Sequence, residues 1–425
     1  MSKRKMTKIR YRFSKFHLDW KEDEFKGIFD FHQTNTFSRS QMNNRRGFTR
    51  NIHYGDILTK YGNILSDLQE VPYINKDISL LKIKEESYLQ NGDIIIADTA
   101  EDLTVGKAME VQNIDGKILS GLHTILCRPK FKFAPRFLGY NLNSSSYRRN
   151  LIPLVVGVKV CSISKTNISK TLVMYPDDIN EQQKIADCLS SIDDLIFAEE
   201  KKLSLLNDYK KGWVQKLFPA EGKTIPEWRF PEFRDSGDWE NTTIEKIADY
   251  ENGKAHENNI IDNGKYIVVN SKFISTEGEI IKYTNEANLL AYKGDILMVL
   301  SDVPNGRALS KCYLVEKDNV YTVNQRVCRI IPEKVNSTLL FYTINRNKYF
   351  LSFDDGVKQT NLKKNDVLSC SIVTPKEPNE QNRIAAFLSV IDELTSNQKE
   401  KIEALKQHKK ALMQGLFPSI EEVCK

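Results

Sequence analysis

Several chemistries are missing from this chain of 425 residues. Its seven cysteines (Cys127, Cys161, Cys188, Cys312, Cys328, Cys370 and Cys424) include no CxxC pair. They read as small buried side chains of a reducing, cytosolic protein and not as a disulfide frame or zinc site. Six dispersed histidines lack metal-ligand spacing. No run approaches the ~20 apolar residues of a membrane span, and the basic start MSKRKMTKIRYRF has no apolar signal core. Thirteen prolines include no Pro-Pro, so the Asn-Pro-Pro-aromatic motif of amino-methyltransferases is absent. Gly222-Lys223-Thr224 resembles the end of a phosphate-binding loop, but Leu217 stands where the first glycine belongs. Acid-x-Lys triplets such as Glu24-Phe25-Lys26 and Asp208-Tyr209-Lys210 are what chance supplies at 28% charged residues. A strong excess of one charge is lacking too, with 62 basic against 56 acidic residues, so nucleic acid would have to be met by local patches. The expectation is a non-catalytic chain with no metal or cofactor of its own.

What is present is a duplication. Asn180 to Pro219 reads NEQQKIADCLSSIDDLIFAEEKKLSLLNDYKKGWVQKLFP, and Asn379 to Pro418 reads NEQNRIAAFLSVIDELTSNQKEKIEALKQHKKALMQGLFP. The two align without a gap 199 positions apart, with 18 of 40 positions identical. A period this long excludes a solenoid and implies two domains, each followed by the segment. The segment itself predicts a helix: a polar start, no internal proline, and a stop at Phe-Pro. Its apolar positions fall three and four apart, at Ile185, Leu189, Ile192, Ile196, Leu203, Leu206, Trp213 and Leu217. The second copy repeats them at Ile384, Leu388, Ile391, Ile402, Leu405, Leu412 and Leu416, a heptad seam. Glu199, Lys210, Thr395, Gln398 and Lys409 are polar interruptions of it. A second apolar strip, with Leu195, Phe197, Leu205 and Val214, then Phe387, Val390, Leu394 and Met413, is either a wider seam or a docking face. Each rod would be about 57 Å long.

The repeat extends upstream. Gly157 and Gly356 open matching GVK segments at the same offset, the Gly-Asp turns at Gly92 and Gly294 match at 202, and Trp20 matches Trp239 at 219. Arg12-Phe13 with Phe16 matches Arg229-Phe230 with Phe233 at 217. Drifting offsets predict loops of different length on one scaffold. GDIIIA, GDILMVL, KYIVVN, KCYLVE and RVCRIIP read as strands. FLGYNLNSSSYRRNLI and LLFYTINRNKYFLSF each read as a helix on the sheet.

Basic and amide side chains gather in the divergent loops: Arg39, Arg45, Arg46, Arg50, Arg148, Arg149 and Lys159 in the first half, then Lys272, Arg307, Asn324, Gln325, Arg326, Lys358, Gln359 and Asn361 in the second. Arg, Asn and Gln can make paired hydrogen bonds to base edges, and Lys suits phosphates. These are the candidate DNA-binding residues. Ile185, Leu189, Ile192, Leu203 and Leu206, with Ile384, Leu388, Ile391, Ile402 and Leu405, are the candidates for helix packing or partner docking.

The paired NEQxxIAxxLSxID openings, the KLFP and GLFP endings, the RFPEF…W lead-in to the second half and GVKQTNL before the second helix resemble the specificity subunit of type I restriction–modification systems. The resemblance covers nearly the whole chain. It departs at RYRFSKFHLDW, a first lead-in that is shorter and lacks the usual proline. The resemblance implies an α+β fold with a pseudo-twofold internal repeat: two β-rich target-recognition domains joined by two long helices packed as an antiparallel coiled coil that acts as a spacer. It implies an N-terminal segment (1–19), a first domain (20–178), a helix (179–219), a linker (220–238), a second domain (239–377), a helix (378–418) and a tail (419–425). Each domain would read half of a bipartite site in double-stranded DNA. Two modification (methyltransferase) subunits and restriction (motor and nuclease) subunits would assemble on the chain, bringing the S-adenosylmethionine, ATP and Mg chemistry. Two other readings stay open from the residues alone: a self-contained nuclease or methyltransferase with fused recognition domains, and a coiled-coil scaffold unrelated to DNA.

Overall fold

A computed structural model describes residues 7–256 and 259–420, which leaves Cys424 and the ends of the N-terminal segment and tail outside it. Two helices dominate, Ile179–Leu217 and Pro378–Gly415, of 39 and 38 residues. The chain divides into two compact units, residues 1–200 with 400–425, and residues 201–399, so both cuts fall inside the long helices. Each unit therefore holds one β-rich domain, the start of one long helix and the end of the other.

The Gly-Asp turns do what the sequence predicts. Gly92 and Gly294 sit at φ 90° and 94°, a region glycine enters without a Cβ penalty. The strands that follow, Ile94–Ala97 and Ile296–Val299, are buried on both faces and run centrally in their sheets. In the first domain the order is Phe29–His32, Thr124–Pro129, Ile94–Ala97, Ala108–Val111, Ile64–Leu65; in the second it is Ala248–Asn252, Val327–Pro332, Ile296–Val299, Cys312–Leu314. A second sheet in each domain contains a parallel pair, Thr49–Ile52 with Lys117–Ser120 and Tyr266–Val269 with Tyr321–Val323. The turn carboxylates are held by equivalent arginines: Arg128 Nε to Asp93 at 2.8 Å and Arg329 Nε to Asp295 at 2.6 Å.

The helix expected on each sheet is instead two short ones. Phe137–Asn141 is followed by Ser145–Leu151, and Ser337–Ile344 by Lys348–Leu351. The break follows an asparagine turned back onto a strand: Asn143 Oδ1 accepts from the Ala108 amide and Asn345 Oδ1 from the Cys312 amide. Restarting the helix then falls to Ser144 and Asn347 as side-chain caps.

The long helices begin inside their own domains. Ile185 and Leu189 belong to the first domain's core, and Ile384 and Leu388 to the second's. The helix end present in each unit completes the same core, through Leu416 and Phe417 in the first and Leu217 in the second. Within the first unit the helices run antiparallel, since Asp193 pairs with Lys409, Glu199 with Lys401 and Glu200 with Lys406. Two of the polar seam positions, Glu199 and Lys409, are thereby partnered across the helices. Lys409 pairs with Asp193 and lies 5.7 Å from the Tyr140 ring, whose hydroxyl donates to the same carboxylate. In the second unit Lys210, Asp392 and Tyr342 repeat that arrangement, while Thr395 turns its hydroxyl back to the Ile391 carbonyl.

The N-terminal segment is placed by the same logic as the linker. The Tyr11 amide donates to the Gly415 carbonyl at 2.9 Å, as the Trp228 amide donates to the Lys216 carbonyl at 2.9 Å. A Cβ at Gly415 would sit 2.0 Å from the Tyr11 ring, so the close approach requires glycine. Beyond it, Thr7–Lys8 pairs antiparallel with Ser419–Ile420. Arg12 then reaches Glu181 and Arg229 reaches Glu380, each carboxylate also accepting from a tryptophan, Trp20 or Trp239. The shorter lead-in without proline makes the same contacts.

Candidate nucleic-acid interface

Two of the second domain's sequence-predicted clusters converge. Tyr266–Val269 leads into the helix Ser271–Ser275, which Asn270 caps through its side chain, and the parallel partner Tyr321–Val323 leads into the turn 324–326. Strand pairing brings the two ends together: the Asn324 amide donates to the Val269 carbonyl at 3.0 Å. Between them lies an open cleft of about 450 Å³ lined by Ile260, Asn270, Ser271, Lys272, Lys282, Asn324, Gln325 and Arg326. Among these described lining residues there are three cations and no carboxylate. Such a cleft favours an anionic or hydrogen-bond-accepting ligand edge. Arg326 sits at φ 68°, uncommon for a side-chain-bearing residue, and such outliers concentrate at functional sites. Asn324 is anchored by accepting the His256 amide at its Oδ1, 3.2 Å away. Lys282 was not singled out by the sequence, where it stands as one lysine beside a short strand with no motif around it.

A second group surrounds the short strand pair Ser301–Asp302 with Thr360–Asn361. Asp302 Oδ2 accepts from the amides of Ala308 (2.6 Å) and Leu309 (3.1 Å), and Asp354 Oδ2 accepts from the Asn305 amide (3.0 Å). These carboxylates hold the turn that exposes Arg307 beside the loop carrying Lys358. Gln359 Nε2 donates to Ser301 Oγ at 2.9 Å and approaches Asn361 Oδ1 at 3.4 Å.

The first domain distributes its candidates differently. Arg45, Arg46, Arg149 and Lys159 are exposed. Arg39 makes a two-pronged pair with Asp56 at 2.7 and 2.8 Å, a hydrogen bond that raises the guanidinium's affinity for its proton. Arg50 lies 4.1 Å over the Tyr73 ring and donates to the Val71 carbonyl and the Tyr73 hydroxyl. Arg148 donates to the carbonyls of Val105 and Leu103, and burial lowers its proton affinity. Three of the seven arginines and lysines named from sequence thus hold the domain together.

On the helices, Ile391 and Ile402 are buried, whereas Ile192, Leu203, Leu206 and Leu405 are half-buried. The second strip divides. Val214, Phe387 and Met413 pack against domain cores, and Leu195, Phe197, Leu205, Val390 and Leu394 stay exposed. Among the described residues no cluster of His, Cys, Asp and Glu could hold a metal ion, and no helix is long and apolar enough to cross a membrane.

The family described as type I restriction modification DNA specificity domain matches this chain twice, over residues 17–208 and 236–407. The type I restriction enzyme MjaVIII specificity subunit of Methanocaldococcus jannaschii is 28% identical over 261 residues, an alignment covering 56% of this chain and 60% of that protein. The putative MjaX specificity subunit of the same organism is 25% identical over 339 residues, 77% of each chain. Among solved structures, the type I S subunit from M. genitalium superposes with a TM-score of 0.61 at 13% identity, covering 97% of this chain and all of that one. A chain from a structural study of complex assembly and conformational transition of the type I R-M system gives 0.51 at 14% identity, covering 93% of this chain and 96% of that one. At these identities the structural likeness is one of fold.

Proposed function

The chain belongs to the type I restriction–modification DNA specificity family, and from that premise we propose that it reads a bipartite double-stranded DNA site for a type I restriction–modification complex. One domain reads each half, and modification and restriction subunits assembled on the chain perform the chemistry with S-adenosylmethionine, ATP and Mg. The observation that carries the reading is the second domain's cation-lined cleft, built from loops that differ between two copies of one scaffold. A shared scaffold with different loops is what reading two different half-sites requires. The exposed apolar side chains Leu195, Phe197, Leu205, Val390 and Leu394 support subunit docking on the helices.

The test is reconstitution with the modification subunit, followed by binding and methylation mapping. The assembled complex should methylate one split sequence, whereas the chain alone should neither methylate nor cleave DNA. Affinity should fall with salt, log affinity against log salt steepening by about −0.9 for each phosphate neutralised. A flat salt dependence would remove the electrostatic part of the reading.

Arg326→Asn is expected to change recognition in one half-site only, because the cleft lies wholly in the second domain. Asparagine tolerates the positive φ, so the change removes the guanidinium and leaves the turn intact. A base-reading arginine contributes roughly 1–3 kcal/mol of discrimination. Mapped sites altered in both halves would contradict the assignment of one domain to one half.

A further inference from the structure

The cleft of the second domain has a counterpart in the first, revealed by backbone register and not by sequence match. Val269 stands opposite Val323 at the end of one parallel pair, and Ile52 opposite Ser120 at the end of the other. The next amide donates back in both cases, Asn324 to Val269 at 3.0 Å and Gly121 to Ile52 at 2.8 Å. The third turn residue then accepts from the central strand's exit, Arg326 from the Leu300 amide (2.8 Å) and His123 from the Asp98 amide (3.1 Å). Both residues have left-handed backbone, φ 68° at Arg326 and 56° at His123. On the other strand Asn270 and His53 each cap the following helix with a side-chain acceptor. By this register His53 occupies the place of Asn270, Tyr54 that of Ser271 and His123 that of Arg326.

In the first domain those places hold three rings in a row. His53 and Tyr54 have centroids 4.6 Å apart, and Tyr54 meets His123 edge-on at 5.3 Å. The His123 imidazole is 45% exposed, with Nδ1 3.3 Å from both Asp98 Oδ1 and Thr99 Oγ1. Burial, and then the nearby Arg39 charge, lower the proton affinity of His53. A ring nitrogen of imidazole donates or accepts according to tautomer, and the tyrosine hydroxyl can do either.

We propose that Tyr54 and His123 read base edges of the half-site met by the first domain, in the position where the second domain uses Ser271 and Arg326. This rests on the DNA-reading function proposed above and assigns its first half to residues that composition does not reveal. It also accounts for Arg39 and Arg50, whose guanidiniums are committed to Asp56 and Tyr73 inside the domain.

The test uses the full chain assembled with its modification subunit, on duplexes carrying single-base changes across the mapped site. Tyr54→Ala removes the ring, and His123→Asn keeps a residue that tolerates positive φ. His53 is left unchanged because it caps a helix. Each variant should change discrimination by about fivefold or more at one or two positions of one half-site. The other half should be unaltered, which also shows that the complex has folded. Arg326→Asn should act on the opposite half. Wild-type discrimination at every position in both variants overturns the assignment, as does a change spread over both halves. A wild-type complex that methylates without sequence preference overturns the DNA-reading function itself, and the assignment with it.

Discussion

Replacing Glu380 with alanine is expected to destabilise the second unit by about 3–5 kcal/mol, the cost of removing one partner from a buried ion pair. Glu380 is 1% exposed and Arg229 9%. The pair is two-pronged, Nε to Oε1 at 2.6 Å and Nη2 to Oε2 at 2.7 Å, and Trp239 Nε1 donates to Oε1 at 3.2 Å. Alanine would leave a desolvated guanidinium and an indole N–H without their acceptor. The equivalent Glu181→Ala should cost less, because Arg12 is 24% exposed and water can take over part of its hydration. Denaturant unfolding read by tryptophan emission separates the two, since Trp213, Trp228 and Trp239 lie in the second unit and Trp20 in the first. A cost for Glu380→Ala equal to or below that of Glu181→Ala would show that burial does not set the energetics of this contact.

Leu388→Ala, and its repeat Leu189→Ala, should each cost about 2–5 kcal/mol through lost apolar burial and the cavity left behind. Both leucines are fully buried where a long helix enters its own domain's core. Val390→Ala and Leu394→Ala on the same helix should stay within about 0.5 kcal/mol, since those side chains are half-exposed in the isolated chain. Thermal melts of the purified chain test the contrast. If the exposed pair proved as costly as Leu388, the helix would be packed on a surface that the chain alone does not expose. Loss of modification-subunit binding in the Val390 and Leu394 variants, with melting unchanged, would locate the docking face proposed for the partner subunits.

Much of the architecture was legible in the residues because its signals are local. A 3.6-residue period without proline makes a helix wherever it occurs, so Ile179–Leu217 and Pro378–Gly415 could be read from the repeat. Gly-Asp before an apolar run marks a turn and a buried strand, as at Gly92 and Gly294. The helix on each sheet is two helices where its apolar pattern runs on, because Asn143 and Asn345 interrupt it by bonding to strands about 35 residues earlier. No local pattern carries that information.

The candidate site was legible only in part, for the same reason. Side-chain type identifies what can meet a base, but not what is already engaged. Arg39, Arg50 and Arg148 have the right chemistry and are occupied by Asp56, Tyr73 and the carbonyls of residues 103 and 105. Lys272 and Arg326 are 54 positions apart in sequence, and parallel strand pairing sets them in one cleft. By itself the sequence determined the duplication, the two rods and the order of domains and helices, because periodicity and capping act between near neighbours. Only the tertiary structure decided which seam charges pair, how the N-terminal segment docks on the second helix, and that His53, Tyr54 and His123 stand where Asn270, Ser271 and Arg326 stand. Those relations depend on strand register between loops of unequal length, and register is set by the packed sheet as a whole.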